Sequence, residues 1–275
     1  MRGVFIGLTT LDLIHYVENF PHPDEKIQAQ GRWMGAGGPA ANAAVAFAAL
    51  GGRAELITAL GSSPAAQIAR HDLEQLSVEV CDLADEGEIA ISNIVVDDRG
   101  QRTVVSFNGA GFGELRAVDR LDQLPDVVLT DGHHVPAALP ILDQALDGGC
   151  PTLLDAGSRK PGTDDLLKRT QLVIASSAFA PDRTAAELAA DLLVSPVRMA
   201  AVSRGAESVV GLTEKGPFEV EVPAVEAVDT LGAGDVLHGA FAHALVASHD
   251  PVGALQEAVV VASQACTIRG PRLPR

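Results

Sequence analysis

Val228-Asp229-Thr230-Leu231-Gly232-Ala233-Gly234-Asp235 runs directly into the helical sequence VLHGAFAHALVA. Two glycines that flank one alanine let the backbone approach a ligand closely. A helix that begins here presents unpaired N–H groups and the positive end of its dipole, which together bind anions. The segment therefore predicts an anion site built from the amides of Gly232, Ala233 and Gly234. In the first turn of that helix, backbone donors and the dipole are expected to lower the pKa of Asp235.

An ionised carboxylate beside an anion site is suited to phosphoryl transfer. The amides hold the charge on the phosphoryl oxygens, and Asp235 accepts the proton of the attacking hydroxyl. The alternative is structural: Gly232 and Gly234 form a tight turn, and Asp235 only caps a helix.

A second glycine-rich segment, Gly35-Ala36-Gly37-Gly38-Pro39-Ala40-Ala41-Asn42, precedes the run AAVAFAALGG. Pro39 suits the first position of a helix, and the two glycines that end the run suit its termination. Gly37 and Gly38 leave N–H groups uncovered, and the Asn42 side chain tilts back towards the same end of the helix. The segment predicts neutral donors and acceptors for sugar hydroxyls; the alternative is a glycine turn with an asparagine that caps locally.

Short apolar runs alternate with helix-length segments along the rest of the chain. Apolar strands that are separated by helices indicate an α/β fold, with a mostly parallel central sheet covered by helices on both faces. Strands are predicted at residues 3–9, 54–60, 127–130, 152–154, 172–174 and 199–202. Helices are predicted at residues 39–50, 64–76, 136–146, 182–193, 234–246 and 251–268.

Two stretches, residues 14–32 and 89–107, alternate polar and apolar residues instead. The second contains DDRG (97–100), which is typical of a hairpin turn. Strands with one face in solvent predict a small β lid outside the main core, within a single domain of residues 1–275. Because uncovered strand edges invite pairing, we expect a homodimer that forms through the lid.

Composition excludes several classes of function. The chain has 275 residues, of which 47% are hydrophobic, and a net charge of −16, which argues against a nucleic-acid or membrane partner bound through a basic surface. Three cysteines without a CxxC pair indicate a cytoplasmic protein. The motifs GxxxxGK[ST], GxGxxG, GxSxG and HExxH are absent from the sequence. The adjacent His133 and His134 lack a third ligand at usable spacing, so no metal site is predicted.

The two glycine-rich segments resemble the signature regions of the ribokinase-like (PfkB) carbohydrate kinases. The family's D-T-x-G-A-G-D motif is matched by residues 229–235, and its GG-x-x-x-N motif by Gly37, Gly38 and Asn42. The turn at 100–103 matches the G-x-R-T of the family's lid. The resemblance covers nearly the whole chain.

This resemblance implies the ribokinase-like fold and ATP-dependent phosphorylation of a hydroxymethyl group of a small sugar. It implies ATP with Mg²⁺ as cofactors, and a K⁺ ion near Asp229 and Thr230. The implied catalytic residues are Asp235, as the base, and the amides of Gly232, Ala233 and Gly234. The implied substrate-binding residues are Asp12, Gly37, Gly38, Asn42 and Asn108, and the implied nucleotide-binding residues are Thr230, Ser203 and Gly205.

The chain also departs from the family pattern. The N-x-x-E motif that organises magnesium-bound water in many members is replaced by Ser176-Ser177-Ala178-Phe179. Together with Gly31-Arg32-Trp33, this loss resembles the branch that includes the ketohexokinases, which favours a ketohexose-like substrate. A nucleoside kinase, which needs aromatic residues to stack a base, and a non-catalytic relative that binds a sugar phosphate remain as alternatives.

Overall fold

A central sheet of nine strands and a smaller sheet of four strands organise the protein, in a computed structural model that describes residues 1–273. The strands are β1 (Arg2–Ile6), β2 (Thr10–Tyr16), β3 (Gly31–Gly37), β4 (Arg53–Thr58), β5 (Val78–Asp82), β6 (Ala90–Val96), β7 (Arg102–Phe107), β8 (Val127–Thr130), β9 (Thr152–Ala156), β10 (Leu172–Ser176), β11 (Met199–Arg204), β12 (Glu207–Thr213) and β13 (Gly216–Val220). The helices are α1 (Pro39–Ala49), α2 (Pro64–Gln75), α3 (Val135–Asp147), α4 (Thr163–Leu167), α5 (Ala185–Leu192), α6 (Ala233–Ser248) and α7 (Pro251–Ala265).

The central sheet has the order β13-β12-β11-β10-β9-β8-β1-β4-β5. Its neighbours pair in parallel except at the β11–β12 and β12–β13 edges. Strand side chains alternate between two apolar clusters: Phe5 packs with α1, α2, α6 and α7, whereas Val4 and Ile6 pack with α3, α4 and α5 on the other face. The predicted α/β architecture with helices on both faces is confirmed.

The smaller sheet, with the order β3-β2-β6-β7, is the predicted lid. The DDRG turn lies between β6 and β7, with the Gly100 N–H donating to the Asp97 carbonyl. The expected limits of the first lid segment were wrong, because β2 begins at Thr10 and β3 continues to Gly37. Asp12 therefore lies inside the lid strand β2. Gly37 lets the strands approach there, since a Cβ at this position would overlap the Asp12 carboxylate.

The sequence reasoning missed β5 and the β12–β13 hairpin. These strands lie at the two edges of the central sheet, where polar residues such as Glu79 interrupt the apolar run that marks its interior strands. Of the helices within residues 1–273, none combines the length and the hydrophobicity needed to cross a bilayer.

Candidate active site

The two glycine-rich segments meet at the edge of the sheet where the parallel strands end. The segment 35–42 leads into α1, and the segment 228–235 forms the start of α6. The Asn42 Nδ2 donates a hydrogen bond of 2.8 Å to the Asp235 Oδ2. Ligands of open α/β sheets bind at the carboxyl ends of the strands, so this contact lies where a substrate is expected.

Four of the residues predicted to bind sugar form a continuous chain of contacts that ends at Asp235. Asp12 is buried, accepts a 2.5 Å hydrogen bond from the Thr10 hydroxyl, and lies against Gly37. The Gly38 carbonyl accepts from the Asn42 N–H at 2.9 Å. Among the described residues no donor reaches the buried Asn42 Oδ1, which leaves an acceptor for a hydroxyl.

Asn108 differs from the other predicted sugar contacts. It follows the last residue of β7 and is exposed to solvent. Its role in binding stays a prediction.

The predicted anion site has the expected backbone geometry. Gly232 is the N-cap of α6 with φ 73°, the left-handed region that favours glycine, and it has no side chain to cap the first turn. Nothing within 4 Å would contact a Cβ at Gly234, and this residue is exposed. The start of α6 therefore borders open space at Gly234, whereas the Ala233 N–H already donates to the Thr230 carbonyl at 3.3 Å.

A cavity of about 420 Å³ adjoins these amides. The three residues predicted to bind nucleotide, Ser203, Gly205 and Thr230, all line it. Arg102 of the lid also lines it and donates a 3.0 Å hydrogen bond to the Thr230 hydroxyl. The remaining lining residues are Ser176, Ala206, Val209, Val222, Ala227, Ala233, Gly234, Leu237, Val259, Ala262, Ser263 and Cys266. Its largely apolar wall suits a nucleotide base, and Ala233 and Gly234 at the start of α6 belong to the lining.

A larger open cavity, of about 730 Å³, lies between the loop after β2 and the β6–β7 turn. Its lining includes Glu18, Glu25 and Asp97, and none of the residues predicted for the site is among its lining residues. Because the chemistry-bearing side chains meet elsewhere, we place the candidate site at Asp235.

The expected pKa of Asp235 was wrong in direction. Burial raises this pKa to about 7, and the negative charge of Asp155 is the next largest cause. The hydrogen bond from Asn42 and the charge of His238 oppose the increase but do not cancel it. The carboxylate accepts from a side-chain amide rather than from the helix amides, so the stabilisation expected from backbone donors is missing at the Asp235 oxygens. A base with a pKa near 7 is well matched to proton transfer at neutral pH.

Sequence reasoning missed three further ionisable side chains at this edge of the sheet. Asp131 follows β8 directly, Asp155 lies near the end of β9, and His238 is three residues after Asp235 on α6. Both aspartates come at the end of a buried apolar run, so their position alone was a usable signal. All three side chains are buried.

The environments of the two buried aspartates differ. Burial alone would raise the pKa of Asp131, but hydrogen bonds and the charge of His133, together with the Leu8 N–H, hold it below its ordinary value. The Ala40 N–H at the start of α1 also donates to this carboxylate, at 3.1 Å. Burial raises the pKa of Asp155, and the charge of His238 opposes this effect.

The site suits the two implied metal ions, K⁺ and Mg²⁺, to different degrees. Asp229 is 2% exposed, and its oxygens accept from the N–H groups of Leu231 and Gly270 and from the Tyr16 hydroxyl. A carboxylate surrounded by donors is a poor K⁺ ligand, so the geometry does not favour the potassium prediction. Among residues 1–273 no cluster of three metal-ligating side chains occurs. Mg²⁺ commonly binds through substrate phosphates and few protein ligands, so it would arrive with the nucleotide.

The raised pKa of Asp235 predicts how stability depends on pH. Between about pH 4 and pH 7 the unfolded chain releases this proton and the folded chain keeps it, so folding stability falls as pH rises through this window. Asp235→Asn removes the effect. Because Asp235 keeps some solvent contact, we expect the variant to gain roughly 1–3 kcal/mol over the parent at pH 8 and little at pH 4. Urea unfolding at both pH values measures this, and an equal difference at both would contradict it.

The family profile described as pfkB family carbohydrate kinase matches residues 2–124 and 168–275. The ATP-dependent ribose-1-phosphate kinase of Halopiger xanaduensis is 28% identical over 267 residues, which cover 94% of this chain and 89% of that protein. The deoxyribokinase of Salmonella typhi is 28% identical over 292 aligned positions, covering 96% of this chain and 92% of that protein. The crystal structure of a proposed ribokinase from Agrobacterium tumefaciens superimposes with a TM-score of 0.89 at 26% identity, covering 98% of this chain and 92% of that one.

Proposed function

The chain belongs to the pfkB family of carbohydrate kinases, and from that premise we propose that it phosphorylates the hydroxymethyl group of a ribose-like pentose, with Asp235 as the general base. That the chain is an ATP-dependent carbohydrate kinase follows from the family. The contact between Asn42 and Asp235 carries the assignment of the base, because it joins the predicted sugar site to the predicted anion site. The pentose is proposed because the relatives named above are described as ribose-1-phosphate kinase and deoxyribokinase.

The proposed reaction is an in-line transfer. Asp12 and Asn42 hold the sugar so that one hydroxyl faces the carboxylate of Asp235. As the hydroxyl oxygen bonds to the γ-phosphorus of ATP, its proton moves to Asp235, and the bond from that phosphorus to the β–γ bridging oxygen breaks with ADP as the leaving group. The amides of Gly232, Ala233 and Gly234 stabilise the charge on the phosphoryl oxygens. Mg²⁺ on the phosphates would supply further charge neutralisation.

The aromatic residues near the lid favour a sugar over a nucleoside. Arg269 stacks on the Tyr16 ring at 4.9 Å, and Arg272 stacks on the Trp33 ring at 4.8 Å. These cation–π contacts already cover one face of each ring. Fructose-like ketoses remain a second candidate, from the resemblance of the sequence to the ketohexokinase branch.

A substrate panel tests the proposal. ADP release is measured with ribose, 2-deoxyribose, ribose 1-phosphate, fructose and adenosine, with Asp235→Asn protein purified in parallel to detect contaminating kinases. We expect the highest kcat/KM with one of the pentoses and a phosphate on its hydroxymethyl oxygen, located by ³¹P NMR. If kcat/KM is highest with fructose, the substrate is a ketose and the proposed pentose is wrong. If it is highest with adenosine, the proposal of a sugar substrate is contradicted.

The lid also supports a proposed homodimer. Every residue of the edge strand β7 is exposed, and Val105 and Phe107 expose 67% and 50% of their surfaces. An unpaired, apolar edge strand readily pairs with a second copy. We expect Val105→Asp to convert a dimer to a monomer in light scattering after gel filtration. Val194→Asp, at a valine 64% exposed outside the lid, is the matched control and leaves the mass unchanged. Equal masses for the two variants would contradict pairing through the lid.

A further inference from the structure

His238 makes two contacts that a neutral imidazole cannot satisfy together. Its Nδ1 lies 2.7 Å from the Gly234 carbonyl oxygen, and its Nε2 lies 3.1 Å from the Ile174 carbonyl oxygen. Carbonyl oxygens only accept hydrogen bonds, and a neutral imidazole carries one N–H. Both contacts become hydrogen bonds when each ring nitrogen carries a proton, so the geometry favours an imidazolium.

A buried cation requires a partner, and Asp155 supplies one. The Asp155 Oδ2 lies 3.5 Å from the His238 Nδ1, and both side chains are buried. An unpaired charge would be costly in such a place, whereas this pair is neutral as a whole. The pair connects the end of β9 to the first turns of α6, directly beside Asp235.

The groups that face Asp235 explain why the pair matters. Three charged side chains act on Asp235: Asp155 on β9, Asp131 at the end of β8, and His238 on α6. In addition, Asn42 on α1 donates a neutral hydrogen bond to it. Lys160 acts on Asp155 from the loop after β9. The donors around Asp131 keep it ionised, so it repels a second negative charge nearby. Without His238, Asp235 would face two carboxylates and no cation on its own helix.

We infer that His238 and Asp155 form a buried imidazolium–carboxylate pair that favours the ionised form of Asp235, the form that accepts the hydroxyl proton. The inference rests on the proposed function of Asp235 as the base. His238 touches neither substrate in this proposal and is a positioning residue. The pair cancels the charge of Asp155, and the negative charge of Asp235 itself is lost when the proton arrives.

The test is the dependence of kcat on pH for the full-length enzyme. The parent is expected to gain activity as pH rises through about 7, the pKa of Asp235. His238→Asn moves this rise to higher pH, so that kcat at pH 7 falls about tenfold and recovers towards pH 9. Asp155→Asn moves the rise to lower pH, because a negative charge beside Asp235 disappears. Opposite shifts from two variants of one buried pair are not produced by a general loss of structure.

His243→Asn is the matched control, since His243 lies on the same helix but packs edge-to-face against Phe47. This variant should keep the parent profile. A His238→Asn profile identical to the parent's would overturn the inference. In the unmodified protein under the assay conditions, ¹⁵N NMR should show both His238 ring nitrogens protonated, and a neutral tautomer would overturn the inference independently of activity. Full turnover by Asp235→Asn would instead contradict the proposed base, and the NMR result would still report on the pair.

Discussion

Asp235→Asn is expected to lower kcat by at least ~10²-fold while sugar binding stays close to that of the parent. Asparagine has nearly the same shape and keeps an oxygen that can accept from the Asn42 Nδ2, so the 2.8 Å contact and the binding site survive. The variant cannot take up the hydroxyl proton as the bond to phosphorus forms. The loss should therefore appear in kcat and leave the dissociation constant of the sugar almost unchanged. Single-turnover kinetics and calorimetric titration with the preferred sugar measure the two quantities separately.

Asp182→Asn is the control for this substitution, because Asp182 is exposed in the segment before α5, away from the sheet edge. It should keep both turnover and binding. Turnover near the parent rate in Asp235→Asn would show that another group accepts the proton. Loss of both sugar binding and turnover would show that Asp235 holds the substrate rather than acting as the base.

The sequence was sufficient to predict the fold and the pairing of its two signature segments. Glycines at 37, 38, 232 and 234 mark places where the backbone can closely approach a ligand or a neighbouring strand, and a helix begins at the end of each segment. Such local rules apply whatever the tertiary structure, which is why the starts of α1 and α6 were predicted to within a residue. The apolar runs that became β8, β9 and β10 are buried on both faces, so their pattern also needed no tertiary information.

The electrostatics of the site could not be predicted in the same way. The pKa of Asp235 depends on Asp155, which is 80 residues away in sequence and reaches it only because β9 ends where α6 begins. The helix N-terminus suggested a lowered pKa for Asp235, but burial and, next in size, the charge of Asp155 outweigh it. A long-range contact also decides the surroundings of Asp229. The Tyr16 hydroxyl donates to an oxygen of Asp229, the residue near which the family resemblance implied a K⁺ ion. Long-range contacts, rather than local propensity, decide protonation and metal binding.

Gly239→Ala is expected to destabilise the protein by roughly 1–3 kcal/mol and to lower kcat/KM by about 10-fold or more. In an ordinary helix this substitution stabilises, by roughly 0.5–1 kcal/mol, because alanine is the better helix former. Gly239 lies in the interior of α6 where this helix packs on α1: a Cβ there would overlap the Ala43 carbonyl oxygen and come within 2.8 Å of the Ala46 Cβ. Since both neighbours belong to a buried helix, the two helices must move apart.

The same movement links stability to catalysis, because α1 carries Asn42 and α6 carries Asp235, which meet at 2.8 Å. Urea unfolding and steady-state kinetics on one preparation of Gly239→Ala measure both effects. Ala247→Gly, at an exposed position near the end of α6, is the control: it should cost only the difference in helix propensity, about 0.5–1 kcal/mol, and leave kcat/KM unchanged. A stabilised Gly239→Ala protein would contradict the close packing of α1 on α6. A destabilised protein with the parent kcat/KM would show that this packing supports the fold but does not set the distance between the sugar site and the base.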